Sequence, residues 1–156
     1  MKKFAGLICA AALMAALPAA AQIAPSRTWP ELKDAVQDRV NRNAYPLTGY
    51  DKEEVREVLS RINSLDRDEW ACSWVQQGEK HFVRAKAVEG SDPAMAREAY
   101  LEAWKFFGFG AWPTQNSDGK RGAHARGAEA FRAFARLASP AIEVVRIPFE
   151  GREIVG

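Results

Sequence analysis

Ala96–Pro113 reads AREAYLEAWKFFGFGAWP, and these eighteen residues hold two of the chain's five tryptophans, three of its eight phenylalanines and a tyrosine. Ala96, Ala99, Tyr100, Ala103 and Phe107 recur at spacings of three and four, which predicts a helix with one face of mixed small and large apolar groups. Phe106, Phe109 and Trp112 fall outside that face. A helix that is aromatic on more than one side must be covered by more than one neighbour, or by a ligand. Gly108 and Gly110 are expected to break this helix, leaving Trp112-Pro113 to Gly119 as a polar loop.

Working upstream, Asp92 with Pro93 reads as an N-cap followed by proline at the first helical position, where the missing N–H costs nothing. Asp66 and Asp51 each stand three residues before a glutamate, Glu69 and Glu54. That is the reciprocal capping pattern, and it predicts helices from Asp66 to about Glu89 and from Asp51 to Ile62. On the longer one Trp70, Trp74, Gln77, His81 and Val88 share a face, with Val75, Phe82 and Ala85 beside them. Tyr45-Pro46-Leu47-Thr48-Gly49-Tyr50 cannot be helical across Pro46 and reads as a loop that packs. Glu31–Asn43 carries the narrow stripe of a first helix, preceded by a tether whose Trp29 can pin it down.

Downstream, Lys120–Ala138 predicts a last helix with His124, Phe131, Ala135 and Ala138 on one stripe and Phe134 adjacent. Pro140 stops it. Ile142, Val144 and Ile147 then alternate with polar residues up to Phe149-Glu150-Gly151-Arg152, the pattern of a strand, a tight turn and a second strand. An isolated hairpin is marginal in water, so this one calls for further strands.

Met1–Ala21 has the order of a secretory signal: Lys2 and Lys3, an apolar core from Phe4 to Leu17, then small residues with Ala19 and Ala21 at cleavage spacing. An uncleaved anchor is the alternative, but about 20 apolar residues are needed to span a bilayer. Removing Lys2 and Lys3 takes the formal charge from +2 to zero. A near-neutral chain lacks the basic face that nucleic-acid binding requires. Of the two cysteines only Cys72 then remains, so no internal disulfide can form, and a buried thiol is expected. The layout is a signal over 1–21, a linker over 22–30, a helical domain over 31–139 and a hairpin segment over 140–156.

No catalytic constellation is present. Gly-x-Ser-x-Gly, whose small residues permit the sharp turn beneath a serine nucleophile, does not occur. His81 and His124 sit on helical stripes among aromatics, where an imidazole is more often a packing group than a base. Neither has the partners of a zinc site, and Asp66-Arg67-Asp68-Glu69 lacks the glycine and spacing of a calcium loop. Gly108-x-Gly110 follows a helix and has no third glycine, so it is not a nucleotide fingerprint. No cofactor and no metal is expected.

Three stretches taken in order carry a resemblance: YPLTGYDKEEVREVLSRINSLDRDEWACSW from Tyr45, AREAYLEAWKFFGFGAWP from Ala96, and AFRAFARLASPAIEVVRIPFEGREIVG from Ala130. Together they resemble the N-terminal part of the α/β-hydrolases that include dihydropseudooxynicotine hydrolase, the fermentation-respiration switch esterases and polyketide-shortening hydrolases. The resemblance implies that the helices form a cap over an active site and that Ile147-Pro148-Phe149-Glu150-Gly151 opens the first hairpin of the catalytic sheet. It also implies that the nucleophile, acid and histidine lie beyond Gly156, so that the chain as given is expected to have no activity of its own; it is either a fragment of a longer reading frame or a truncated product, the latter favoured because a lone hairpin lacks a sheet. The expected fold is mainly α, a five-helix cap-type bundle followed by a C-terminal β-hairpin that starts a truncated hydrolase sheet.

Trp104, Phe107, Phe109 and Trp112 become candidate pocket walls, with core packing the expected role of at least half of them. The expected location is periplasmic or secreted. The expected partner is a small-molecule substrate met through the missing core, with no nucleic acid, no membrane after signal cleavage, and a homo-oligomer left open. The alternative is a periplasmic tetratricopeptide-like binding module, since Ala99, Tyr100 and Ala103 match the small and aromatic positions of such a hairpin. Against it, the next helix does not return at a period of 34 residues.

Overall fold

A computed structural model describes residues 27–156. The expectations for the signal segment and for most of the tether lie outside these residues. Five helices follow one another: α1 (Trp29–Asn41), α2 (Lys52–Ser60), α3 (Arg67–Val88), α4 (Pro93–Ala111) and α5 (Asp118–Leu137). A two-stranded antiparallel hairpin, β1 (Arg146–Phe149) and β2 (Arg152–Val155), closes the chain. The protein is therefore mainly helical with a C-terminal hairpin, as its sequence predicts.

The helices start where short polar side chains satisfy their first amides. Asp51 accepts from the N–H groups of Glu53 and Glu54, Asp66 from those of Asp68 and Glu69, Asp92 from Met95, and Ser117 from Lys120. The reciprocal half of the capping pattern is not made at Asp51 or Asp66. Glu54 lies 2.9 Å from His81 Nε2 instead, and Glu69 accepts from the Asn63 N–H and the Ser64 hydroxyl in the preceding loop. The back-reaching carboxylate is found at α1, where Glu31 accepts from the Thr28 N–H at 2.8 Å. That tie, with Pro30 in the first turn, starts the helix at Trp29, inside the expected linker.

α4 is the central helix, packed between α3 and α5. Its two aromatic sides serve two clusters. Phe106 and Phe109 join Trp74 of α3 and a layer from the N-terminal elements, Val36, Leu47, Val55 and Leu59 among them. Tyr100, Ala103 and Phe107 face Phe82 and Ala85 of α3 and Ala130 and Ala133 of α5. Tyr50 closes the first cluster, its hydroxyl donating to the Lys105 carbonyl at 2.6 Å and its ring 5.3 Å from Phe106. The 45–50 loop thus packs, with Leu47 fully buried.

Three expectations are corrected. Gly108 and Gly110 do not break α4, which runs on to Ala111. A Cβ on Gly110 would stand 3.1 Å from Trp74 Cβ and 3.4 Å from Ala123 Cβ, so the bare backbone lets three helices converge and packing outweighs the ~1 kcal/mol helix penalty of glycine. On α5 the buried face is Lys120, Ala123, Gly127, Ala130 and Ala133, whereas His124 is exposed and Phe131 is half-buried on the outer flank. Small residues form the core face there because α5 approaches α4 closely. Cys72 is exposed rather than buried, since its neighbours Ala71, Ser73 and Trp74 take the inward positions of α3.

The hairpin turns at Glu150-Gly151, both with positive φ (47° and 75°), the geometry of a tight two-residue hairpin turn. Ile147 pairs with Ile154 and Phe149 with Arg152, so three large apolar side chains share one face. Each is more than half exposed, and the hairpin packs against none of the five helices.

Candidate functional site

The four candidate wall residues divide between distinct places. Phe107 is fully buried in the second cluster, against Gly78 and Phe82. Trp104 is exposed beside α5, its ring 5.4 Å from Phe131, and the two border a cleft of about 200 Å³ with His124. Phe109 and Trp112 meet in one cavity of about 440 Å³ at the N-terminal ends of α3 and α5.

This cavity is open to solvent on one side. Five segments converge on it: Leu32, Val36 and Arg39 of α1, Tyr45 and Pro46 of the next loop, Ser64 to Arg67 with Trp70, the end of α4 with Trp112 and Pro113, and Lys120 of α5. Local bonds hold its walls. The Trp70 indole N–H donates to the Phe109 carbonyl at 3.1 Å, and the same carbonyl accepts from the Trp112 N–H at 3.2 Å. Two orphan groups at the end of α4 and on an aromatic wall are thereby satisfied together. Tyr45 and Trp112 meet edge to face, 6.4 Å between ring centres, across the rim. Arg39 donates to the Tyr45 carbonyl at 3.1 Å and fixes that side of the mouth.

The polar groups of the cavity are unbalanced. Arg39, Arg67 and Lys120 line it, with Asp66 as the one carboxylate among the described residues. Asp66 is committed to capping α3 through its Oδ1. Lys120 is buried, 6% exposed, and its ammonium donates to the Trp112 carbonyl at 2.6 Å. Burial lowers its pKa, the nearby Arg67 charge lowers it further, and Asp68 offsets part of this. None of the three cations forms an ion pair among the described residues.

Trp70, Tyr45 and Lys120 are not singled out by the sequence as site residues. Lys120 carries the clearest signal of the three: it stands three and seven residues before Ala123 and Gly127, in line with the small-residue stripe of α5. The histidines do not converge. His81 stacks on Phe106 at 5.4 Å with its Nε2 on Glu54, a structural pairing, and His124 faces solvent. Among the described residues there is no group of three or more His, Cys, Asp or Glu placed to hold a metal ion, and no helix long and apolar enough to cross a membrane. Comparison of the chain with protein-family models and with curated proteins finds no match.

Proposed function

We propose that the chain is the exported helical cap segment of an α/β-hydrolase-like protein, joined to the opening hairpin of a catalytic sheet. The reaction would be hydrolysis of an ester, or of a carbon–carbon bond next to a carbonyl, by a serine nucleophile supplied from beyond Gly156. The observation that carries the reading is the hairpin itself. Ile147, Phe149 and Ile154 present an apolar face to solvent, both hairpin edges are open among the described residues, and none of the five helices packs against it. Such a hairpin is marginal in water by itself, and joining a larger sheet would stabilise it.

In this reading the five helices roof a substrate site, and Trp112 and Trp104, exposed on two flanks of the bundle, are its candidate contacts. The test is hydrolysis of p-nitrophenyl butyrate. No turnover is expected from the chain ending at Gly156. Turnover is expected from the product read on past it through a Gly-x-Ser-x-Gly, blocked by a serine-directed inhibitor. A downstream reading without that elbow would count against the proposal.

The tetratricopeptide-like alternative has one observation in its favour. The cavity of about 440 Å³ is built wholly from the helices and their loops, as a ligand groove in a self-sufficient helical module would be. A peptide or a partner helix would then be the ligand.

A further inference from the structure

The chain leaves α5 at Leu137, about 25 Å along the helix axis from Lys120, so the cavity lies at the end of α5 away from the start of the hairpin segment. Its walls are aromatic on several sides, Trp70, Phe109 and Trp112 above all, which suits a flat apolar body. Three cations border the same space without a contact ion pair among the described residues; Asp68 lies close enough to Lys120 to offset part of its shift, while Asp66 caps its own helix. The Lys120 ammonium makes one hydrogen bond among the described residues, to the Trp112 carbonyl, which leaves two of its donors for a ligand in the cavity. A bound anion would satisfy them and relieve the repulsion between Lys120 and Arg67.

We propose that this cavity is a binding site for small amphiphilic carboxylates, with the ring or branched chain between Trp70, Phe109 and Trp112 and the carboxylate on Lys120 and Arg67. Arg67 supplies the planar fork that matches a carboxylate, and Lys120 supplies the desolvated charge. The site does not depend on the hydrolase reading, since every wall residue lies between Leu32 and Lys120.

Titration calorimetry of the purified protein with 2-naphthoate and with the neutral 2-naphthalenemethanol tests this. Trp70 and Trp112 provide a second readout by fluorescence. Naphthoate is expected to bind one to one and at least tenfold more tightly than the alcohol, with affinity falling as salt is raised. Arg67→Gln, at an exposed position, should weaken naphthoate about tenfold and leave the alcohol unchanged. Lys120→Met should do the same where circular dichroism shows the helices intact. Equal affinity for the two probes, no binding of naphthoate below 1 mM (an arbitrary ceiling of about −4 kcal/mol), or an Arg67→Gln protein that binds naphthoate as the parent does would each overturn the assignment.

Discussion

Gly78 of α3 lies directly beneath Phe107 of α4: a Cβ built on Gly78 would stand 2.6 Å from Phe107 Cε1, inside van der Waals contact. The Ala103 carbonyl, 3.2 Å away, closes the other side. Phe107 is fully buried and cannot swing aside, so Gly78→Ala is an overpacking change. It is expected to lower stability by about 1–3 kcal/mol, even though alanine is the better helix former. Gly108, one residue beyond Phe107, is helical, and a Cβ added there would meet nothing within 4 Å, so Gly108→Ala should stabilise by about 0.5–1 kcal/mol. Opposite shifts in denaturant midpoint from the two substitutions are the measurement. Two shifts of the same sign would mean that α4 does not pack as described.

Arg126 clamps α5 to α3. Its Nε and Nη2 each donate to Glu79 at 2.6 Å, and the guanidinium lies 4.4 Å over the Phe82 ring and 5.3 Å over Phe107. A planar fork and a stacking face are both in use, and lysine has neither. Arg126→Lys should therefore destabilise by about 1 kcal/mol or more, read as a lower Tm. The exposed pair Arg42–Asp38 on α1 provides the contrast, and Arg42→Lys should leave Tm nearly unchanged.

Acid should lower the stability of the bundle through a few carboxylates. The Tyr100 hydroxyl donating to Glu89 holds that carboxyl below its ordinary 4.5, the Lys80 ammonium does the same for Glu57, and the Ser64 hydroxyl for Glu69. Each folded-state value lies below the unfolded one. The stabilisation is therefore present above about pH 4.5 and lost as pH falls through the depressed values. Burial and the same Glu89 push Tyr100 the other way, up to about 12. Tm followed from pH 7 down to pH 2 should be flat to about pH 5 and then fall, and Tyr100→Phe should make the acid limb shallower.

The hairpin should betray its uncovered face. Purified chain is expected to self-associate through Ile147, Phe149 and Ile154, all more than half exposed, read as a concentration-dependent mass by light scattering. Deleting residues 142–156 should abolish the effect without shifting the helical thermal transition, because none of the five helices packs against the hairpin. A large drop in helical Tm after the deletion would show that the hairpin is part of the bundle's core.

Much of this fold can be read from single positions, because a cap is a local contract between a side chain and the amides two or three residues on. Asp51, Asp66 and Asp92 each place a helix start this way. What cannot be read locally depends on a neighbour. Gly110 looks like a helix breaker until Trp74 and Ala123 are beside it, and α5 buries its smallest residues because α4 comes so close. Glu54 looks like half of a capping box until His81, 27 residues away, offers it a partner. The cavity is the least legible feature. Leu32 and Lys120 reach the same space from helices at either end of the domain, and no spacing in the sequence brings them together. Phe109 and Trp112 can be picked out because aromatics are conspicuous, whereas Lys120 reads as surface by residue type, and only its place in line with Ala123 and Gly127 points inward.

The most direct test of the account is esterase activity across the Gly156 junction. The product of the reading frame continued past that codon should contain a Gly-x-Ser-x-Gly and hydrolyse p-nitrophenyl butyrate in a manner blocked by a serine-directed inhibitor, while the chain ending at Gly156 should show no turnover. Inhibitor-sensitive turnover by the chain ending at Gly156, or a continued product that lacks the elbow and the activity, would contradict it.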